Sequence, residues 1–176
     1  MSSPSPSPSI GLLVGRWGGW PGWMPFLLRG FTANPDITFH LLCDVPPKGV
    51  MPPNVLVHPT TLPQLAGMMK DAVGLNLTLE MANIVRRGGG GGGLSMAKIN
   101  DLKPLWGETF GDTILRGYEW WGYLQEDVLL GDLLACLPAR LLQAADVISP
   151  AMNRAASGVF SNRRERYLNH TPDELT

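Results

Sequence analysis

Residues 10–44 read IGLLVGRWGGWPGWMPFLLRGFTANPDITFHLLCD, and the order of elements in this stretch decides the fold. Ile10–Arg16 is a short apolar run that ends at WGGW, the pattern of a buried strand entering a glycine-rich turn. Pro21 suits the first turn of a helix running to about Ala33, because a helix start leaves its first N–H groups unpaired and proline has none. Phe26, Leu27, Gly30 and Phe31 are expected on the inner face of that helix. Asn34-Pro35-Asp36 breaks it, and Ile37–Asp44 reads as a second strand.

Working outward, the loop PPKGVMPP leads to a third, short strand at Asn54–Pro59. TTLPQLAGMMKDAVG has a helical pattern that ends at Gly74, a C-capping residue. Strand, helix, strand, strand, helix is the opening of an α/β sandwich with a mostly parallel central sheet flanked by helices. Further on, Ile99, Leu102, Trp106 and Phe110 recur every three or four residues and predict an amphipathic helix, with Pro104 in its first turn. EWWGYL reads as a strand and VLLGDLLACLPARLL as an apolar strand and helix. DVISP and Ser157–Arg163 complete the set of expected strands. Around this domain, residues 10–165, the alternating Ser-Pro of residues 1–9 reads as an extended, disordered tail, and residues 166–176 as a loose terminus. The six glycines Gly88–Gly93 have too much backbone entropy to hold an element and read as a flexible loop.

With 176 residues, 44% of them hydrophobic, the chain can bury a sizeable core. The formal net charge of -1 argues against a nucleic-acid partner, which calls for a basic face. Residues 1–95 carry six Lys/Arg against four Asp/Glu, and residues 96–176 carry eight against eleven. No apolar run is long enough for a membrane span, and no signal peptide is visible. The default location is the cytoplasm, with the secretory pathway as the alternative if the chain is a fragment. Cys43 and Cys136 lack the spacing of a zinc site and read as buried thiols.

The excess acid gathers at Trp121–Leu133, WGYLQEDVLLGDL, where Gln125, Glu126 and Asp127 interrupt an apolar run. From composition alone, this is an exposed turn between strands. In its context, the run resembles something more specific. Lys98–Gly107 (KINDLKPLWG), Arg116–Leu133 (RGYEWWGYLQEDVLLGDL), DVISP and ASGVF resemble a poorly characterised family of DxD-type glycosyltransferase-like proteins, over roughly residues 10–165. Its members read K-x-x-D-x-K-P-x-x-G and then G-Y-x-x-W-G-x-x-D-x-D-x-x-x-G-D. Gln125 stands where the first Asp of the DxD is expected, Glu126 at the variable middle and Asp127 at the second Asp.

The resemblance implies a GT-A-like (Rossmann-like) nucleotide-sugar-binding fold and a metal-dependent glycosyltransferase-like protein, with a nucleotide-diphospho-sugar as donor and a glycan or other hydroxyl as acceptor. A divalent cation, Mn²⁺ or Mg²⁺, would neutralise the departing diphosphate. Such a cation takes hard oxygen ligands and retains waters, so one or two carboxylates suffice, at the carboxyl ends of the strands where open α/β sheets bind ligands. Asp127 is the implied metal ligand. Asp101, Lys103 and Gln125 are the implied donor-binding residues, with Arg16 in the turn after the first strand as a fourth. Each has a bland counterpart: Asp101 as a helix cap, Lys103 as a solvated lysine, Arg16 as a salt-bridged surface residue. Asp132 either caps the next helix or joins the metal. Trp106, Trp120 and Trp121 read as core, His40 as a core or surface residue, and Arg163–Arg166 as a solvated basic face. His170 is a remote candidate for the metal shell. The rival expectation is a non-catalytic nucleotide-sugar or glycan binder, favoured by Gln125 and by the end of the chain soon after SGVFSNRRER. A metal-dependent phosphodiesterase lacks a second cluster of His/Asp ligands.

Overall fold

The computed structural model of the chain describes residues 8–75, 77, 96–148 and 158–162. The expected glycine loop, the C-terminal tail, Arg163–Arg166 and His170 lie outside the described residues, as do residues 1–7 of the expected N-terminal tail. Ser9, placed in that tail by the sequence, is instead tied down: its N–H donates to Glu119 Oε2 and its carbonyl accepts from the Glu119 and Trp120 N–H groups.

The elements run β1 (Ile10–Arg16), α1 (Met24–Thr32), β2 (Ile37–Cys43), β3 (Val55–Pro59), α2 (Leu62–Val73), α3 (Met96–Leu102), a 3₁₀ turn (Lys103–Leu105), α4 (Trp106–Phe110), β4 (Trp120–Leu124), α5 (Leu133–Cys136), α6 (Ala139–Ala144), β5 (Val147–Ile148) and β6 (Gly158–Asn162). They form one sheet in the order β3-β2-β1-β4-β6-β5. β3, β2, β1 and β4 are all parallel; β6 runs antiparallel to both β4 and β5. The fold is therefore α/β and Rossmann-like, with a parallel four-strand heart and flanking helices.

Strands covered on both faces read as continuous apolar runs, and β1 shows why. Ile10, Leu12 and Val14 enter one core with Ile37, Phe39, Leu41, Trp120 and Leu124, covered by Met24, Leu27 and Phe31 of α1. Leu13 enters the other core with Leu42 and Trp121, covered by Leu65 and Met69 of α2, Ile99 of α3, and Trp106 and Phe110 of α4. The three tryptophans of the second half, Trp106, Trp120 and Trp121, are core residues. Two glycines make room for Trp106 and Trp121. A Cβ on Gly15 would meet the Trp106 and Trp17 rings at 2.6 and 2.7 Å, and one on Gly107 would enter the Trp121 ring.

α2 is closed at both ends by its own sequence. Thr61 and Gln64 form a reciprocal capping box, and Gly74 adopts φ 71° as the left-handed C-cap. Three expectations about elements and one about the cysteines need correction. α1 starts at Met24, not at Pro21, and its buried face is Met24, Leu27, Gly30 and Phe31, the i, i+3, i+6, i+7 spacing of one helix stripe; Phe26 falls outside that stripe and is 58% exposed. The helix expected to open at Pro104 is two short helices joined by the 3₁₀ turn, because a proline without an N–H must open a new turn. Val128–Leu130 is not a strand; it lies along α1, with Leu130 against Gly30. Finally, of the two thiols, Cys43 is buried and Cys136 exposed, and both are free.

Candidate functional site

In a sheet of order 3-2-1-4 the chain leaves β1 toward β2 on one side and returns to β4 on the other. The crevice between the carboxyl ends of β1 and β4 is thus the topological switch point, where ligands of open α/β sheets bind. Two segments frame it: Trp17–Trp20 after β1 and Gln125–Asp127 after β4. The first is braced from β2, since Asp44 accepts the Gly18 N–H on both carboxylate oxygens, at 3.0 and 3.2 Å. Gly18 and Gly19 both take positive φ, which a side chain would oppose.

The alternation of β4 sorts the three polar residues that follow it. Trp121 and Tyr123 point to the face of α4, and Gln125 continues that series. Its Oε1 accepts a hydrogen bond of 3.0 Å from Lys103 Nζ, which also donates to the Leu124 carbonyl at 3.1 Å. Trp120 and Leu124 point to the face of α1, and Glu126 continues that one. Its carboxylate, nearly buried, forms a 2.8 Å ion pair with Arg16 at the end of β1; the Arg16 Nε donates to the Gly19 carbonyl. A turn at Glu126 and Asp127 then places Asp127 beyond the carboxyl end of β4. The Asp127 side chain is exposed, has no hydrogen bond or ion pair among the described residues, and lines a groove with Trp23, Phe26, Leu27, Val128 and Leu129.

Lys103 is 0% exposed. Its ammonium lies 5.7 Å from the Trp106 ring centre and 6.0 Å from that of Tyr123, and its two acceptors are neutral carbonyl oxygens. Burial lowers its pKa to about 8, opposed by the nearby Glu126 and Asp127 carboxylates, which favour the charged form. An ammonium can only donate. Lys103 therefore fixes the Gln125 amide with its oxygen inward and leaves the amide N–H₂ as the group offered elsewhere. Four of the five residues singled out in the sequence thus converge on the end of β4: Lys103 through Gln125, Arg16 through Glu126, and Asp127 beside them. Asp101 sits exposed in the last turn of α3, two residues before Lys103. Asp132 caps α5, its Oδ1 accepting the Ala135 N–H at 3.0 Å.

One polar cluster escaped the sequence reading. His40 Nδ1 lies 2.9 Å from His58 Nε2, and His40 Nε2 lies 3.1 Å from the Tyr118 hydroxyl. Both ring nitrogens of His40 are engaged, so one donates and one accepts. Burial and the neighbouring His58 push its pKa down to about 4. The only signal in the sequence was a histidine in each of two consecutive strands, on positions that become diagonal neighbours once β2 and β3 pair in register.

Among the described residues no three His, Cys, Asp or Glu side chains group as a metal shell, and no helix is long and apolar enough to cross a membrane. No curated protein and no solved structure matches the chain. A family model matches residues 13–165, a span that takes in both sides of the crevice. The chain belongs to this family, described as a family of unknown function (DUF6625).

Proposed function

We propose that this chain is a glycosyltransferase-like protein that binds a nucleotide-diphospho-sugar in the crevice between β1 and β4, where Asp127 would hold a divalent cation. The observation that carries the reading is the sorting of Gln125, Glu126 and Asp127. Two are held by cations, Gln125 by the buried Lys103 and Glu126 by the half-buried Arg16, and the third is left as an exposed carboxylate at the carboxyl end of a central strand.

The donor set suits a cation that arrives with its diphosphate. One carboxylate, Asp127, is offered, and Mg²⁺ or Mn²⁺ binds through one or two carboxylates plus substrate phosphates and waters. When bound, the cation would supply charge neutralisation to the departing diphosphate. The chain's own contributions are positional. Arg16 holds Glu126 and with it the turn that presents Asp127. Lys103 holds Gln125 so that its amide N–H₂ can donate to a phosphate or hydroxyl oxygen, and adds positive potential from beneath the strand end. Asp101, on the exposed side of α3, can accept from sugar or ribose hydroxyls. The acceptor is a hydroxyl compound, and transfer to it is the proposed reaction.

Calorimetry with UDP and GDP, each with and without Mn²⁺, tests this. One nucleotide should bind only weakly alone and at least about tenfold more tightly with Mn²⁺, while Mn²⁺ alone should not bind measurably. Absence of nucleotide binding in both conditions rejects the reading. Unchanged metal dependence in Asp127→Ala rejects Asp127 as the ligand. A specific observation favours a second reading, a binder without turnover: Gln125 Oε1, at the place of the missing carboxylate, is already taken by Lys103. Donor hydrolysis separates the two readings. Activity in the wild type supports the enzyme, whereas an inactive wild type with activity gained in Gln125→Asp supports the binder.

A further inference from the structure

The groove that Asp127 lines is otherwise apolar. Trp23, Phe26 and Leu27 form one wall, Val128 and Leu129 the other, around a volume of about 510 Å³. That size falls within the ~300–1,000 Å³ of small-molecule sites. Trp23 is 48%, Phe26 58% and Leu129 84% exposed. The walls are fastened to each other. The buried Asn34 donates through its Nδ2 to the Gly30 carbonyl of α1 and to the Gly131 carbonyl opposite, and its Oδ1 accepts the Leu133 N–H. Leu130 sits against Gly30, and Val128 packs on the core of the α1 face. Leu129 is therefore held outward between two anchored neighbours.

An apolar trough with one carboxylate on its lining restricts the ligand. A wholly apolar molecule would strip water from Asp127 without replacing it. A free sugar would find Asp127 as its one polar side-chain partner and apolar walls elsewhere. The geometry points to an amphiphile: an apolar chain lies against Trp23, Phe26 and Leu129 and presents a hydroxyl to Asp127. It rests on the proposed function only in making that amphiphile the acceptor, its hydroxyl brought to the carboxylate beside which the donor's diphosphate would lie.

The test is binding of n-octyl β-D-glucopyranoside below its micellar concentration to the full chain, with methyl β-D-glucopyranoside as the chain-free control. The octyl compound should bind and the methyl compound should not. Phe26→Asp and Leu129→Asp should each weaken octyl binding by about tenfold or more. Both side chains are exposed, and circular dichroism checks that the variants fold. Equal affinity for the two glucosides, or octyl binding indifferent to both variants, overturns the inference. UDP and GDP with Mn²⁺ are titrated into the same samples. Octyl binding without nucleotide binding sinks the donor reading and supports the groove; nucleotide binding without octyl binding sinks the groove alone.

Discussion

Gly107 has no room for a methyl group, since the Trp121 ring occupies the place a Cβ would take. α4 lies on β4 at a distance set by this contact. Gly107→Ala must either move the helix or turn the indole, and it should cost about 1–3 kcal/mol, read as a lowered urea midpoint with an unchanged m-value. A variant as stable as the wild type would show that the helix and strand are not in close contact. The sequence already placed this glycine within a motif, but the partner that demands it lies in another strand. The same holds for the polar residues. Gln125, Glu126 and Asp127 were legible as a group because three hydrogen-bonding side chains interrupt an apolar run. Which of them is exposed was not legible, because that depends on Lys103 and Arg16, 22 and 110 residues away from their partners.

At the scale of elements, the crevice and its neighbouring groove depend on how α1 is joined to the segment before α5. Asn34 makes that joint with one side chain, using both ends of its amide. Asn34→Ala leaves the Gly131 carbonyl and the Leu133 N–H without this partner, and should cost about 1–3 kcal/mol. Hydrogen exchange should locate the loss: the Leu133 amide should exchange faster, while the amides of β1 and β2 keep their protection order. Uniform acceleration across the sheet would mean that Asn34 supports the whole core and not the joint. The starting pattern, Asn34-Pro35-Asp36, was readable as a helix breaker from local backbone preferences alone. Its second task was not readable, because nothing near it in the chain reveals the partner. The division at Pro104 was missed for a related reason. Apolar spacing continues smoothly through it, and only the packing of α3 and α4 as separate pieces shows that proline opens a new turn.

For the whole molecule, two buried bases, His40 and Lys103, carry the large shifts of the pH profile; burial also lowers the pKa of His58, which adds to the first, and raises that of Cys43, which opposes the second. His40 goes from 6.5 in the open chain to about 4 in the fold, and Lys103 from 10.5 to about 8. In both cases the folded state binds fewer protons between the two values, so stability rises with pH through each window. Denaturation free energies should therefore climb from pH 4 to 6.5 and again from pH 8 to 10.5, each base adding a slope of up to about 1.4 kcal/mol per pH unit. The first climb should flatten in His40→Gln and the second in Lys103→Met, read as differences from the wild type so that other titrations cancel. A wild-type profile superimposable on the Lys103→Met profile above pH 8 would show that the ammonium is not desolvated. The strand, helix, strand, strand, helix order of residues 10–74, the burial of β1 and the Gly74 cap of α2 were determined by the sequence itself, because side-chain period and backbone preference act within a few residues. The sheet order, the reversal of β6, the pairing of His40 with His58 and Tyr118, and the selection of Asp127 as the outward carboxylate were decided only in the tertiary structure. Each is a contact between distant segments, and its energy comes from packing across the sheet that no local pattern encodes.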